Sequence, residues 1–169
     1  DYFMGARTGV GRDGGLRPAD DELRTQVLPA LRRALALPDQ RDITTAAMIA
    51  LAKTDLVEAE DLAAIGQRLH SEQPVVREAA ALALGLTGRV ECVDDLASLA
   101  RDSARGRQCC GQAAVDYRLR SFAIYALGLI GRNQPDLAAK APVLAAVAPL
   151  LAEDALRWDI KLAAVSALR

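Results

Sequence analysis

The amino-acid sequence predicts an all-α fold, a right-handed α-α superhelix of about four helical hairpins plus the tail of a preceding one. Three observations carry this expectation. Apolar residues at i, i+4, i+7 and i+8 recur four times: Ile43, Ala47, Ala50, Leu51; Val76, Ala80, Ala83, Leu84; Leu119, Ala123, Ala126, Leu127; and Ile160, Ala164, Ala167, Leu168. Each set falls on one stripe of a helix with a 3.6-residue period. A second amphipathic segment precedes each set: Asp21 to Leu37, Glu60 to His70, Val93 to Arg105, and Ala141 to Glu153. Helix, short turn, helix is a unit that cannot bury its apolar face alone and so must stack. Finally, Ala, Leu and Arg dominate, β-branched runs are nearly absent and only 4% of residues are aromatic, a composition that favours helix.

Residues 1–19 are expected to be the end of a preceding repeat followed by a Gly/Arg-rich loop, because Tyr2-Phe3-Met4-Gly5 aligns with Tyr125-Ala126-Leu127-Gly128. Residues 20–169 then form one repeat domain, with approximate units 20–54, 55–89, 90–132 and 133–169. Asp20 or Asp21 can cap the first helix, and Pro29 interrupts it. Glu58, Glu60 and Asp61 gather where the next helix starts, a place that favours carboxylates. Between Arg105 and Tyr117, GRQCCGQAAVD reads as a loop of unusual length, the kind of segment in which specificity resides on a repeat scaffold. Pro142 enters the last hairpin near the start of its first helix, where a missing N–H does no harm. Trp158 is expected to pack under the final turn.

The residues Thr44, Arg77, Arg120 and Lys161 follow the first apolar position of each set, about 33, 43 and 41 residues apart. Arg77-x-x-Ala80-x-x-Ala83-Leu84-Gly85, Arg120-x-x-Ala123-x-x-Ala126-Leu127-Gly128 and Lys161-x-x-Ala164-x-x-Ala167-Leu168 resemble second helices of HEAT repeats, in the bacterial subgroup related to bilin-lyase HEAT-like repeats. Val93 to Asp102 is similar to that family's opening helix. The resemblance covers nearly all of residues 20–169 and is specific for fold, not for activity. It implies an armadillo-like stack with second helices on the inner wall. It also raises two alternatives to protein binding, a bilin-lyase-like lyase or chaperone for a prosthetic group, and backbone binding to nucleic acid. A deoxyhypusine hydroxylase, which shares the repeat type, needs several His-Glu pairs for its iron, and the chain has one histidine, His70.

Chemistry-bearing motifs are sparse. Gly9-Val10-Gly11-Arg12-Asp13-Gly14 matches the dinucleotide fingerprint in form, but no strand precedes it and no βαβ unit surrounds it. Cys109 and Cys110 are adjacent, Cys92 is alone, and neither spacing is that of a zinc chelate. No nucleophile, acid and base occur in a spacing that assembles a catalytic group. The chain is therefore read as not an enzyme, with no cofactor and no metal. A formal net charge of −1 gives no field to draw in nucleic acid or an anionic membrane, and no apolar run reaches the ~18 residues of a membrane span. An odd number of cysteines favours a reducing, cytoplasmic compartment.

The expected partner is a protein or peptide, bound by the wall of second helices. The positions beside the apolar stripe, Thr45, Met48, Glu78, Ala81, Ser121, Ile124 and Tyr125, are expected to be exposed, with Arg77, Arg120 and Lys161 as a ladder alongside. Candidate binding residues are thus Arg77, Glu78, Arg120, Ser121, Tyr125 and Lys161, with Arg107, Cys109 and Cys110 in the long connection. Leu84→Ala is expected to destabilise and Glu78→Ala to be nearly neutral. The last helix reaches Arg169 without a Gly, Asn or polar cap, which predicts a piece of a longer array and end-to-end self-association through uncapped ends.

Overall fold

The computed structural model describes residues 19–37 and 40–168. Tyr2–Gly5, the Gly9–Gly14 stretch, Asp39 and Arg169 lie outside the described residues. Within them every regular element is helical and there is no strand. The helices are α1 (Leu28–Ala36), α2 (Arg41–Ala52), α3 (Ala59–Gln67), α4 (Pro74–Leu86), α5 (Val93–Ala100), α6 (Ala104–Cys110), α7 (Tyr117–Arg132), α8 (Leu137–Ala152) and α9 (Trp158–Ala167).

The boundaries follow from local chemistry. Glu58 and Asp61 form a reciprocal capping box at the start of α3, and Pro74 opens α4, where its missing N–H is no loss. Asp116 Oδ1 accepts the backbone N–H groups of Arg118 and Leu119, both at 3.0 Å. Asp136 Oδ1 does the same for Ala139 at 2.8 Å. Gly88, at φ 69°, follows α4 in the left-handed region that glycine tolerates best. A π-helical stretch, Leu23–Val27, runs into α1. Pro29, just inside α1, has no N–H to donate one turn back, and the wider π register absorbs that gap. The N-cap of this segment is Ala19, not Asp20 or Asp21. They stand inside its first turn, where their charge suits the helix dipole.

Helices pack in the pairs α1/α2, α3/α4, α5/α7 and α8/α9. The second members also pack on one another in series, α2 on α4, α4 on α7 and α7 on α9. Small residues make that series possible. A Cβ on Gly85 would lie 2.4 Å from Ala126 Cα, and one on Gly128 would lie 2.7 Å from Ala167 Cα. The same close contact thus recurs one unit later. One continuous apolar core runs from Leu28 to Ala164.

Three expectations need correction. The connection read as a long loop contains α6, whose Gly106 presses so closely on Ser98 and Leu99 of the α5 region that no side chain fits. Trp158 does not pack under the last turn; it is 70% exposed at the start of α9. Pro142 lies in the second turn of α8, past the positions whose N–H groups are unpaired in any helix.

Candidate functional site

The predicted wall residues separate into two groups. Met48, Ala81 and Ile124 are fully buried and Glu78 is 5% exposed, although all were expected at the surface. The reason is that α4 and α7 are each covered by a first helix and by the second helices before and after, and α2 by both α1 and α4. The buried face of each is therefore wider than one stripe. Glu78 accepts a two-pronged bond from Arg118, Nε to Oε1 at 2.8 Å and Nη2 to Oε2 at 2.9 Å.

The ladder residues serve the connections inside the hairpins. Arg77, also buried, donates from Nη1 to the carbonyls of Ser71 and Glu72 at 2.7 and 3.1 Å, and its Nη2 lies 3.6 Å from Asp116 Oδ2. Arg120 Nε donates to Ala100 O at 2.9 Å, the last residue of α5. Lys161 Nζ reaches Asp154 O at 3.5 Å. Each basic side chain thus folds back onto carbonyls that the preceding segment leaves unpaired, a structural use of the ladder.

The α6 candidates are likewise engaged. Arg107 grips Asp102 with two bonds of 2.9 and 3.0 Å, and that hydrogen bonding above all holds the Asp102 carboxyl below its ordinary range. Cys110 is buried with its thiol 3.6 Å from Arg107 O, and Cys109 is half-buried with its thiol 3.7 Å from Asp95 Oδ1. Burial raises the Cys109 thiol above its usual value, with Asp95 adding to the effect. All three cysteines are free thiols. No group of three His, Cys, Asp or Glu residues among the described residues is placed to hold a metal ion.

Ser121 and Tyr125 do reach the surface, in a groove of about 300 Å³ between α7 and α9. Tyr117, Ser121 and Tyr125 are spaced four apart and line one side; Asp159 and Leu162 of α9 line the other. Phe122 also lines the groove. Tyr117, Tyr125 and Leu162 are 44%, 39% and 44% exposed, and Trp158 stands at the head of α9. Arg157 lies 4.2 Å over the Tyr117 ring and bonds Asp159 at 2.9 Å, so the rim joins a cation–π contact to an ion pair. All four aromatic side chains among the described residues, Tyr117, Phe122, Tyr125 and Trp158, belong to α7 or α9. Periodicity alone misses Tyr117 and Leu162, whereas the crowding of a scarce residue type into 117–125 and 158 is visible in the sequence.

No helix among the described residues is long and apolar enough to cross a membrane. Comparison with known proteins finds no match: no protein family, no curated protein and no solved structure resembles this chain at a significant level.

Proposed function

We propose that this chain is a non-enzymatic protein-interaction module, a HEAT-like right-handed superhelix that presents the α7–α9 groove to a protein or peptide. The observation that carries this reading is the placement of exposed aromatics. Tyr and Trp supply rigid contact area with a polar edge, and they dominate the energetics of protein interfaces. The four aromatics among the described residues all lie on two adjacent second helices, and the exposure of three of them has no packing explanation. The Tyr117-Ser121-Tyr125 stripe with Leu162 opposite offers anchors of large contact area, and the Arg157–Asp159 ion pair closes its rim.

The two alternatives fare less well on the same observations. A lyase that handles a prosthetic group through a thiol needs a thiolate, and burial holds the Cys92 thiol up at about 11. Binding to a nucleic-acid backbone needs unengaged cations, yet Arg105, Arg107 and Arg118 are committed to Asp95, Asp102 and Glu78. The test is capture from a lysate of the source organism with the wild-type chain and with Tyr117→Ser/Tyr125→Ser. A protein retained by the first and lost by the second supports the reading. Retention unchanged by the double substitution overturns it.

A further inference from the structure

A second concavity lies among α3, α4, α5 and α6. The turn Arg68–His70 that ends α3 rests on α6, and a cavity of about 360 Å³ remains between α3 and the start of α5. That volume is within the range of small-molecule sites. Leu62, Leu69 and Leu84 form its apolar wall, and Glu91 and Asp95 stand at its edge.

Gly66 gives an independent sign that this space is kept open. Glycine is the poorest helix former after proline, and Gly66 sits inside α3. Three other helix glycines have a backbone packing reason: a Cβ on Gly85, Gly106 or Gly128 would come within 2.4, 2.1 or 2.7 Å of a neighbouring backbone atom, and one on Gly131 would meet the Val143 side chain at 3.3 Å. A Cβ on Gly66 would meet nothing within 4 Å. It lines the cavity, and a side chain there would project into the space a ligand would occupy.

The charge at the mouth selects the ligand class. Arg105 makes both its bonds, 3.0 and 2.8 Å, to Asp95 Oδ1, and the Cys109 thiol points to the same oxygen. No donor among the described residues reaches Asp95 Oδ2, and Glu91 forms no ion pair among them. Arg89, the other nearby cation, donates to Val57 O at 2.8 Å. No lysine or arginine lines the cavity; His70 is the only lining group able to carry positive charge. The Cys92 thiol in the wall feels the same field, since Glu91 and Asp95 add to the effect of burial on it.

We propose that this cavity binds a small amphipathic cation, an aryl or alkyl amine whose apolar body lies on Leu62, Leu69 and Leu84 and whose ammonium meets Glu91 and Asp95. The site is separate from the α7–α9 groove and stands whether or not that groove binds a protein.

Three indole probes of similar size test this on the full chain by calorimetry and by amide shifts in NMR: tryptamine, its neutral analogue tryptophol, and the anion indole-3-propionate. Tryptamine is expected to bind at least about tenfold more tightly than tryptophol, the scale of one charge-assisted bond, with shifts centred on Gly66 and Glu91. Glu91→Gln should reduce tryptamine to nearer the tryptophol level. Gly66→Leu, which fills the cavity, should weaken both by about tenfold or more while leaving the melting temperature unchanged or higher. Equal binding of indole-3-propionate, no tryptamine binding at millimolar concentration, or affinity indifferent to Gly66→Leu in a folded variant would overturn the proposal.

Discussion

The same substitution, glycine to alanine, should change stability in opposite directions at two helix-interior positions. In α4, the Cβ added by Gly85→Ala would stand 2.4 Å from Ala126 Cα, 2.6 Å from its Cβ and 2.7 Å from its carbonyl oxygen. Two of those three atoms are backbone, so no rotamer change relieves the contact, and restoring ordinary separation at 3.4 Å parts α4 and α7 by about 1 Å. Overpacking of this kind costs roughly 1–3 kcal/mol. The gain in helix propensity returns about 0.5–1 kcal/mol, which leaves a net loss of up to about 2.5 kcal/mol, about 1 kcal/mol at mid-range. For a chain of this size that lowers the melting temperature by roughly 2–4 °C at mid-range and up to about 10 °C. In α3, Gly66→Ala meets nothing within 4 Å, so only the propensity term acts and the melting temperature should rise by roughly 1–4 °C. Thermal and urea unfolding followed by far-UV circular dichroism reads both. If Gly85→Ala stabilises as much as Gly66→Ala, the second helices do not approach as described and the serial packing of α4 on α7 is wrong.

Other substitutions probe single contacts. Leu127→Ala, at a fully buried position, should cost about 2–5 kcal/mol in urea denaturation; Leu84→Ala should fall at the low end, because Leu84 already borders a cavity. Glu78→Ala should destabilise by roughly 1–3 kcal/mol by removing a two-pronged charged bond to Arg118, whereas an unchanged urea midpoint would show that the pair is idle. Asp61 predicts a pH response. Burial alone would raise its carboxyl, but the hydrogen bonds from Arg32 and the Glu58 N–H, together with the Arg32 charge, outweigh that and hold it below 3.8. Its contribution is therefore complete above that value and is lost as the pH falls through the lower folded value. Between about pH 5 and pH 2 the wild type should lose more stability than Asp61→Asn, and parallel curves would contradict the Arg32–Asp61 pairing.

The helical content and the pairing of helices were legible because they rest on local signals. The apolar stripes and the acidic start at Glu58, Glu60 and Asp61 place these helices to within a few residues. What a stripe does not disclose is how many sides of its helix are covered. Ile124 and Ala81 lie just beside the stripe, yet neighbours on both flanks of α7 and α4 bury them. For the same reason Glu78 became a buried anion with a dedicated arginine forty residues away. Helix α6 was hidden by Gly106 and two cysteines, poor helix formers on average, because its stability comes from contact with α5. Ser121 and Tyr125 were found from spacing, while their partners across the groove, Asp159 and Leu162, belong to another helix and depend on the α7–α9 register. The cavity beside Gly66 was not readable, since its lining comes from α3, α4, α5 and α6 and depends on how those helices are placed.

The central functional claim, that the α7–α9 face engages a protein, is tested most directly by site-specific photo-crosslinking. The photoreactive residue p-benzoylphenylalanine is introduced by Tyr125→p-benzoylphenylalanine and, as a control on exposed surface of α3, by Glu60→p-benzoylphenylalanine. Both chains are irradiated in a lysate of the source organism. The account predicts a discrete protein adduct from position 125 and none from position 60. No adduct at 125, or the same adducts from both positions, would contradict it.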